Sequence, residues 1–350
     1  MTKAQDTLKY AEDRLAQRDL PAAIAAFERA EFAGASADAC AGGRWMAHML
    51  AGNFAAAWSE SDAIRRRGAP DPHRFWAGED LRGRRVILRC LHGYGDTVQF
   101  LRYAPRLSEL AAHLVVEAPP VMVEIACCFD GVNDVITWDT EARGIRNWDV
   151  QVEIMELPYL FRTEADELPL AERYLHLPAA VESRVARAMG CSPSPRVGLV
   201  WAAGDWNIDR SIPFDLLRPL LGCSDCEFWN LQGGLARAEW KRKEHLRDAA
   251  ECGEGILTLA ATIAQLDLVI TVDTLAAHLA GAMGKPAWLL LQYAADWRWM
   301  TRRSDSPWYP SLRLFRQPAP GAWESTVHGV AQELTRWRAT VPLGSRLCPG

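Results

Sequence analysis

At 350 residues the chain is long enough for two or three domains with substantial cores, and 49% apolar with 24% charged residues describes a globular protein. A net charge of −5 excludes a general nucleic-acid binder, which needs a basic excess to meet a phosphate backbone. No apolar h-region opens the sequence and no run approaches the roughly 18 apolar residues of a membrane span, so a cytoplasmic protein is expected.

Residues 5–67 read as helical and weakly repetitive. Leu20, Ala22, Ala23 and Ile24 return 34 residues later as Phe54, Ala56, Ala57 and Trp58. That period, with small residues where paired helices would cross, is the tetratricopeptide signature. About two units fit, too few to stand alone, so one face is expected to pack on the first α/β domain. The breaker cluster Gly68-Ala-Pro-Asp-Pro-His73 closes this segment, placed at 1–74.

A first α/β domain is expected over 75–190. Arg85–Leu91 reads as a buried strand, His92–Asp96 as a tight loop and Thr97–Leu110 as an amphipathic helix. Strand His113–Ala118, helix Pro120–Cys128 and shorter strands at Val135-Ile136 and Asp149–Ile154 follow. Ser192–Pro195 is a linker, and a second domain of the same kind covers 191–350. Its expected elements are strand Arg196–Trp201, a loop to Ile212, a helix from Pro213, strand Glu227–Leu231 and a charged helix. Leu259–Leu266 leads to strand Leu268–Val272, then an alanine-rich helix opened by Asp273-Thr274 and ended by Gly284-Lys285-Pro286. Strands Ala287–Leu291 and Leu312–Phe315 and a final helix over about 323–338 complete the pattern. Such alternation gives parallel sheets, and two such domains leave a cleft between them.

Ligands in open α/β sheets sit at the carboxyl ends of the strands, and a helix N-terminus there suits phosphate. The polar residues at those ends are therefore the candidates. In the second domain they are Thr274 with the N–H groups that follow it at Leu275 and Ala276, together with Asp273 and His278 one turn on. Asp273 would cap the helix or orient its loop, and His278 reads first as a structural partner of a loop. Arg210, beside Ser211, could hold a diphosphate through paired hydrogen bonds or could pair with Asp205 or Asp209. In the first domain the loop His92-Gly93-Tyr94-Gly95-Asp96 lacks the Gly-Lys-Ser/Thr of a Walker A motif and the third glycine of the dinucleotide fingerprint. Asp96 is either an N-cap or a general base facing an acceptor hydroxyl. The aromatic run Asp296-Trp-Arg-Trp299 could pack on a base or sugar, although most of the 15 tryptophans must be core. Nine cysteines without a secretion signal are expected as free thiols, and Cys223-x-x-Cys226 has no second pair at metal-finger spacing.

Taken in order, Gly93–Pro105, Arg196–Trp201, Asp209–Pro213, Val272–Ala280 and Asp296–Trp299 with Asp305–Pro310 resemble the family 9 glycosyltransferases. The ADP-heptose:lipopolysaccharide heptosyltransferases are their best-known members, and tetratricopeptide proteins carrying such a domain are the nearer likeness. The resemblance implies a GT-B fold, two Rossmann-like α/β domains here preceded by a helical tetratricopeptide-like segment. It implies inverting transfer without metal or cofactor, from a nucleotide-diphospho-sugar to a glycan, lipid-linked or protein acceptor. Asp96 then matches the catalytic aspartate, with His92, Gly93, Tyr94, Gly95 and Gln99 on the acceptor side. Arg210, Ser211, Asp273, Thr274, Leu275, Ala276 and His278 match the donor side. Arg210 stands where heptosyltransferases carry a lysine, and the first α/β domain is short for that family. For the family's ribose-binding glutamate, Glu239 is the residue offered. A scaffold that keeps the fold without transfer, docking a protein through its N-terminal helices, and a nucleotide-sugar epimerase are the competing readings.

Overall fold

The computed structural model describes residues 2–68, 75–138, 148–169, 173–204, 207–240 and 245–341. Four helices come first: α1 (Lys3–Ala16), α2 (Leu20–Phe32), α3 (Ala37–Ala51) and α4 (Phe54–Arg67). Their starts are set by Thr2, Asp19, Ser36 and Asn53, whose side chains each accept a backbone N–H of the first turn. The breaker cluster Gly68–His73 falls, apart from Gly68, outside the described residues.

The first α/β unit runs β1 (Arg85–Arg89), α5 (Tyr94–Phe100), α6 (Ala104–Leu110), β2 (His113–Ala118), α7 (Val123–Ala126), β3 (Asp134–Thr137), β4 (Val150–Glu153), α8 (Leu157–Leu160) and α9 (Ala179–Met189). Its four strands are parallel in the order β3-β2-β1-β4, with Leu88 opposite Val116 and Val152. The expected single helix over 97–110 instead starts at Tyr94 and is interrupted by a 3₁₀ turn, Leu101–Tyr103, just before Pro105. Proline lacks the N–H that would continue the ladder. The expected helix 120–128 is likewise a 3₁₀ turn followed by one short α-turn.

The second unit contains β5 (Arg196–Val200), α10 (Arg218–Leu221), β6 (Glu227–Asn230), β7 (Leu246–Asp248), α11 (Ile256–Ala264), β8 (Leu268–Val272), α12 (Leu275–Ala282), β9 (Ala287–Leu291), β10 (Leu312–Arg316) and α13 (Trp323–Thr340). All six strands are parallel, in the order β10-β9-β8-β5-β6-β7. The charged helix expected after β6 is not formed. A 3₁₀ turn, Leu235–Glu239, and the edge strand β7 occupy that stretch, with 241–244 outside the described residues. Lysine and arginine there suggested helix, yet edge pairing with β6 decides the local structure.

One apolar core joins all three parts. Leu50, Phe54 and Trp58 of the helices pack in the same cluster as Leu88 and Phe100 of the first unit and Trp297, Trp299 and Trp308 of the second. A separate cluster fills the other face of the second sheet, beneath α13. The helices thus pack on both units, wider than the contact with the first unit expected from sequence. Seven described cysteines are free, but Cys191 is disulfide-bonded, which corrects the expectation of free thiols throughout. An odd count says nothing about which sulfurs the fold brings together. Among the described residues, no helix is long and apolar enough to cross a membrane.

Candidate functional site

A cavity of about 1490 Å³ opens between the carboxyl ends of the two sheets. Pockets for single drug-sized ligands run to roughly 300–1,000 Å³, so this space is larger than one such ligand needs. From the first unit it is lined by Gly93, Tyr94, Gly95 and Asp96, and from the second by Arg210, Ser211, Asp273, Thr274, Leu275, Ala276 and His278. Glu239 also lines it, with its carboxylate accepting the Phe214 N–H at 3.1 Å. His92 and Gln99 do not. His92 Nε2 lies 3.5 Å from Glu153 Oε1, and Gln99 is wholly buried within α5.

Asp96 is not the N-cap. Gly93 takes that position, and Asp96 sits three residues inside, where its Oδ2 accepts the Gly93 N–H at 3.0 Å. Its other oxygen, Oδ1, accepts from Arg298 Nη2 at 2.5 Å across the cleft. The chain enters the helix through Gly95 because α5 runs directly over α12. A Cβ on Gly95 would stand 2.6 Å from the His278 ring. Glu153, at the end of β4, is pushed up to about 7, chiefly by burial.

On the facing side β8 delivers Asp273 and Thr274 to the start of α12. Thr274 is the N-cap, but its hydroxyl turns to Thr271 Oγ1 (3.0 Å) and makes no cap bond, so the first N–H groups of the helix have no side-chain cap. Asp273 is buried, and desolvation with the nearby Asp296 pushes its carboxyl up to about 6, against Arg210 and Arg298. Arg210 Nη1 donates to the Asp273 carbonyl (3.1 Å) and lies 3.9 Å from its carboxylate. This replaces the surface pairing with Asp209; Asp205 lies outside the described residues. Ser211 Oγ accepts the Ala203 N–H at 3.0 Å and pins the loop that carries Arg210. His278 is held neutral, down to about 3, first by burial and then by Arg298, Arg102 and Arg210; its Nδ1 shares a 2.9 Å hydrogen bond with the Tyr309 hydroxyl. The ring thus bonds to a buried tyrosine while it lines the cavity.

Two contributions escaped the sequence. Arg298, read as part of an aromatic run, is the cation that joins the two sides: Nη1 donates to Asp296 Oδ1 (2.8 Å) while Nη2 holds Asp96. Its alternation with tryptophans was the only signal. The helical segment also lines the cavity, through Glu12, Leu15, Arg18 and Met46, and nothing in the repeat pattern marks those positions. The Cys223 and Cys226 sulfurs lie 3.6 Å apart, away from the cavity. Among the described residues no cluster of His, Cys, Asp or Glu forms a metal site.

Two parallel α/β units facing each other across such a cleft define the GT-B class of fold. No family model matches the chain. The fold is that of a family 9 glycosyltransferase from Veillonella parvula, with a TM-score of 0.52 at 10% identity over 78% of this chain and 94% of that one. It is equally that of ADP-heptose LPS heptosyltransferase II from Escherichia coli, with a TM-score of 0.50 at 12% identity over 71% and 99%. Protein FlbA of Caulobacter vibrioides is 31% identical over 293 residues, 76% of this chain and 48% of that protein. The chain therefore spans about half the length of the curated relative it matches.

Proposed function

We propose that the chain is an inverting, metal-independent glycosyltransferase that moves a sugar from a nucleotide-diphospho-sugar to an acceptor hydroxyl. The observation that carries this reading is the meeting, in one cavity, of Asp96 from the first unit with Arg210 and the N-terminus of α12 from the second. The carboxylate takes the acceptor proton, the acceptor oxygen bonds to the anomeric carbon, and the diphosphate departs with the electron pair of the broken C–O bond. Negative charge growing on the diphosphate is met by Arg210 and by the uncapped N–H groups after Thr274. These two structural neighbours are glycosyltransferases by name, and the second is named for ADP-heptose, which supports a nucleotide-sugar donor here.

A thermal-shift screen against ADP-, GDP-, UDP- and dTDP-sugars tests the donor half. A shift with one nucleotide is expected; silence across the panel returns the protein to the scaffold reading. Asp96→Asn tests the base. It should lower turnover by about two orders of magnitude or more without weakening donor binding, and chelation should leave transfer unchanged.

A further inference from the structure

Asp96 and Arg298 meet across the cleft from elements 202 residues apart, at 2.5 Å, and the guanidinium is buried. The other oxygen of the Asp96 carboxylate accepts the Gly93 N–H at 3.0 Å, so both oxygens that could take the acceptor proton are already occupied. Arg298 is also well placed to let it go. Its stem is fixed: Asp296 Oδ1 accepts both the Arg298 backbone N–H (3.0 Å) and Nη1 (2.8 Å), and the guanidinium lies over the rings of Trp297 (4.9 Å) and Phe100 (5.5 Å). Nη2 is the one arm that reaches Asp96, and the buried Nε has no hydrogen-bond partner. Around this guanidinium stand Asp96, Asp296 and Asp273, all lining the cavity that also holds Arg210 and the start of α12.

We infer, on the reading of the site given above, that Arg298 is a latch between donor and base. It holds Asp96 until a diphosphate seated at the α12 N-terminus competes for its Nη2, and so frees the carboxylate for the acceptor proton. A diphosphate brings at least two negative charges into a site where charged hydrogen bonds are strong, and arginine binds its oxygens through the same fork that binds a carboxylate. The consequence is ordered chemistry: donor first, base second, with less chance that the carboxylate deprotonates anything before a sugar is in place. The groups that bear on Asp96 are Arg298 with Asp296 from the 292–300 loop, Glu153 from the end of β4, and, through Arg298, Asp273 and His278 around the start of α12.

The latch has a signature that does not depend on knowing the acceptor. Releasing Asp96 from its cation beside a diphosphate makes it bind a proton more readily, so nucleotide binding should be coupled to proton uptake. Titration calorimetry of the full chain at pH 5.5, with ADP, GDP, UDP and dTDP in turn, in two buffers of different ionisation enthalpy, reads that uptake. The nucleotide's own titration is common to all variants and is removed by comparison with Asp96→Asn. The wild-type chain should take up more protons than Asp96→Asn. Arg298→Gln should reduce the excess and weaken binding by about tenfold, one charge-assisted contact. Arg298→Lys, which keeps the charge and guards against a folding defect, should restore part of both. Equal uptake in wild type and Asp96→Asn with binding intact overturns the latch and leaves the glycosyltransferase reading standing. An undiminished excess in Arg298→Gln does the same. No binding by any of the four nucleotides removes the donor site on which both rest.

Discussion

His278 and Asp273 lie side by side at the foot of the cleft, His278 Nε2 3.9 Å from Asp273 Oδ1, and their ionisations are displaced in opposite directions. The folded chain leaves His278 unprotonated down to about 3, whereas an unfolded chain protonates it below 6.5. This pair member therefore costs stability as pH falls through that window. Asp273 does the reverse. Its folded carboxyl keeps a proton up to about 6 against 3.8 unfolded, so its contribution is present at low pH and is lost as pH rises through 6. Between about pH 4 and 6 the two slopes oppose each other. Asp273→Asn should unmask the histidine, and stability should then rise with pH more steeply than in wild type by up to ~1.4 kcal/mol per unit. His278→Gln should tilt the profile the other way. Urea midpoints at pH 4, 5 and 6 decide the matter, and parallel profiles in all three proteins would show that the pair does not titrate in this manner. Arg210 is tested differently. Because it ends a short 3₁₀ turn and touches Asp273 through both its carbonyl and its carboxylate, Arg210→Ala should lower the melting temperature modestly and weaken donor affinity by about tenfold. Unchanged affinity in calorimetry would take the phosphate role from it.

The helical segment is tied to both α/β units by specific bonds as well as by apolar contact. Trp58 Nε1 donates to the Thr163 carbonyl at 2.8 Å, and Asp62 accepts from the Tyr159 hydroxyl and Arg162, both at 2.6 Å. On the other unit the Thr301 N–H reaches the Leu50 carbonyl (3.0 Å), and Arg18 Nη2 reaches the Ala295 carbonyl (2.9 Å) beside the Asp296–Arg298 pair. Arg18 adopts φ +62°, a left-handed conformation costly for any residue with a Cβ, and its side chain is what the turn between α1 and α2 presents to the cleft. A chain beginning at Phe75 would uncover the pockets of Leu50, Phe54 and Trp58, at roughly 1.5–3 kcal/mol for each large side chain. That sum is a sizeable part of the stability of an ordinary domain. Such a chain should be recovered in lower soluble yield and melt well below the full protein. Equal melting temperatures would show the helices to be an independent docking arm.

Across the whole molecule, the sequence exposed what is periodic or conformationally special. The parallel strands read as continuous apolar runs, the glycine loop before Asp96 and the Asp273-Thr274 junction fell at strand ends, and the helix pairs showed in their 34-residue echo. What stayed hidden depends on contacts distant in sequence. Arg298 looks like one more residue of an aromatic run until the fold brings Asp96 to it. The wall contributed by Glu12 and Arg18 needs the helices to be seated first. β7 is three residues long, and only its pairing with β6 makes it a strand.

The same long-range contacts predict how the protein unfolds. Arg102 of the first unit is fully buried, donating to the Tyr174 hydroxyl (2.9 Å) and to the Trp308 carbonyl (2.8 Å) of the second, with its guanidinium 4.7–5.3 Å from the Tyr174, Tyr309 and Trp308 rings. Phe100 stands edge-on to Trp308 at 5.7 Å, and Phe54 of the helices joins them at 6.0 Å. Neither α/β unit can open without exposing these aromatic rings and stranding a buried cation, each far more costly than parting two polar surfaces. The two units and the helices should therefore melt in one cooperative calorimetric transition, not in separate domain steps. Arg102→Met should move that single transition down without splitting it, because the lost contacts belong to the shared core. Two resolved transitions in the wild-type protein would show that the units unfold independently and that the aromatic junction is weaker than its burial implies.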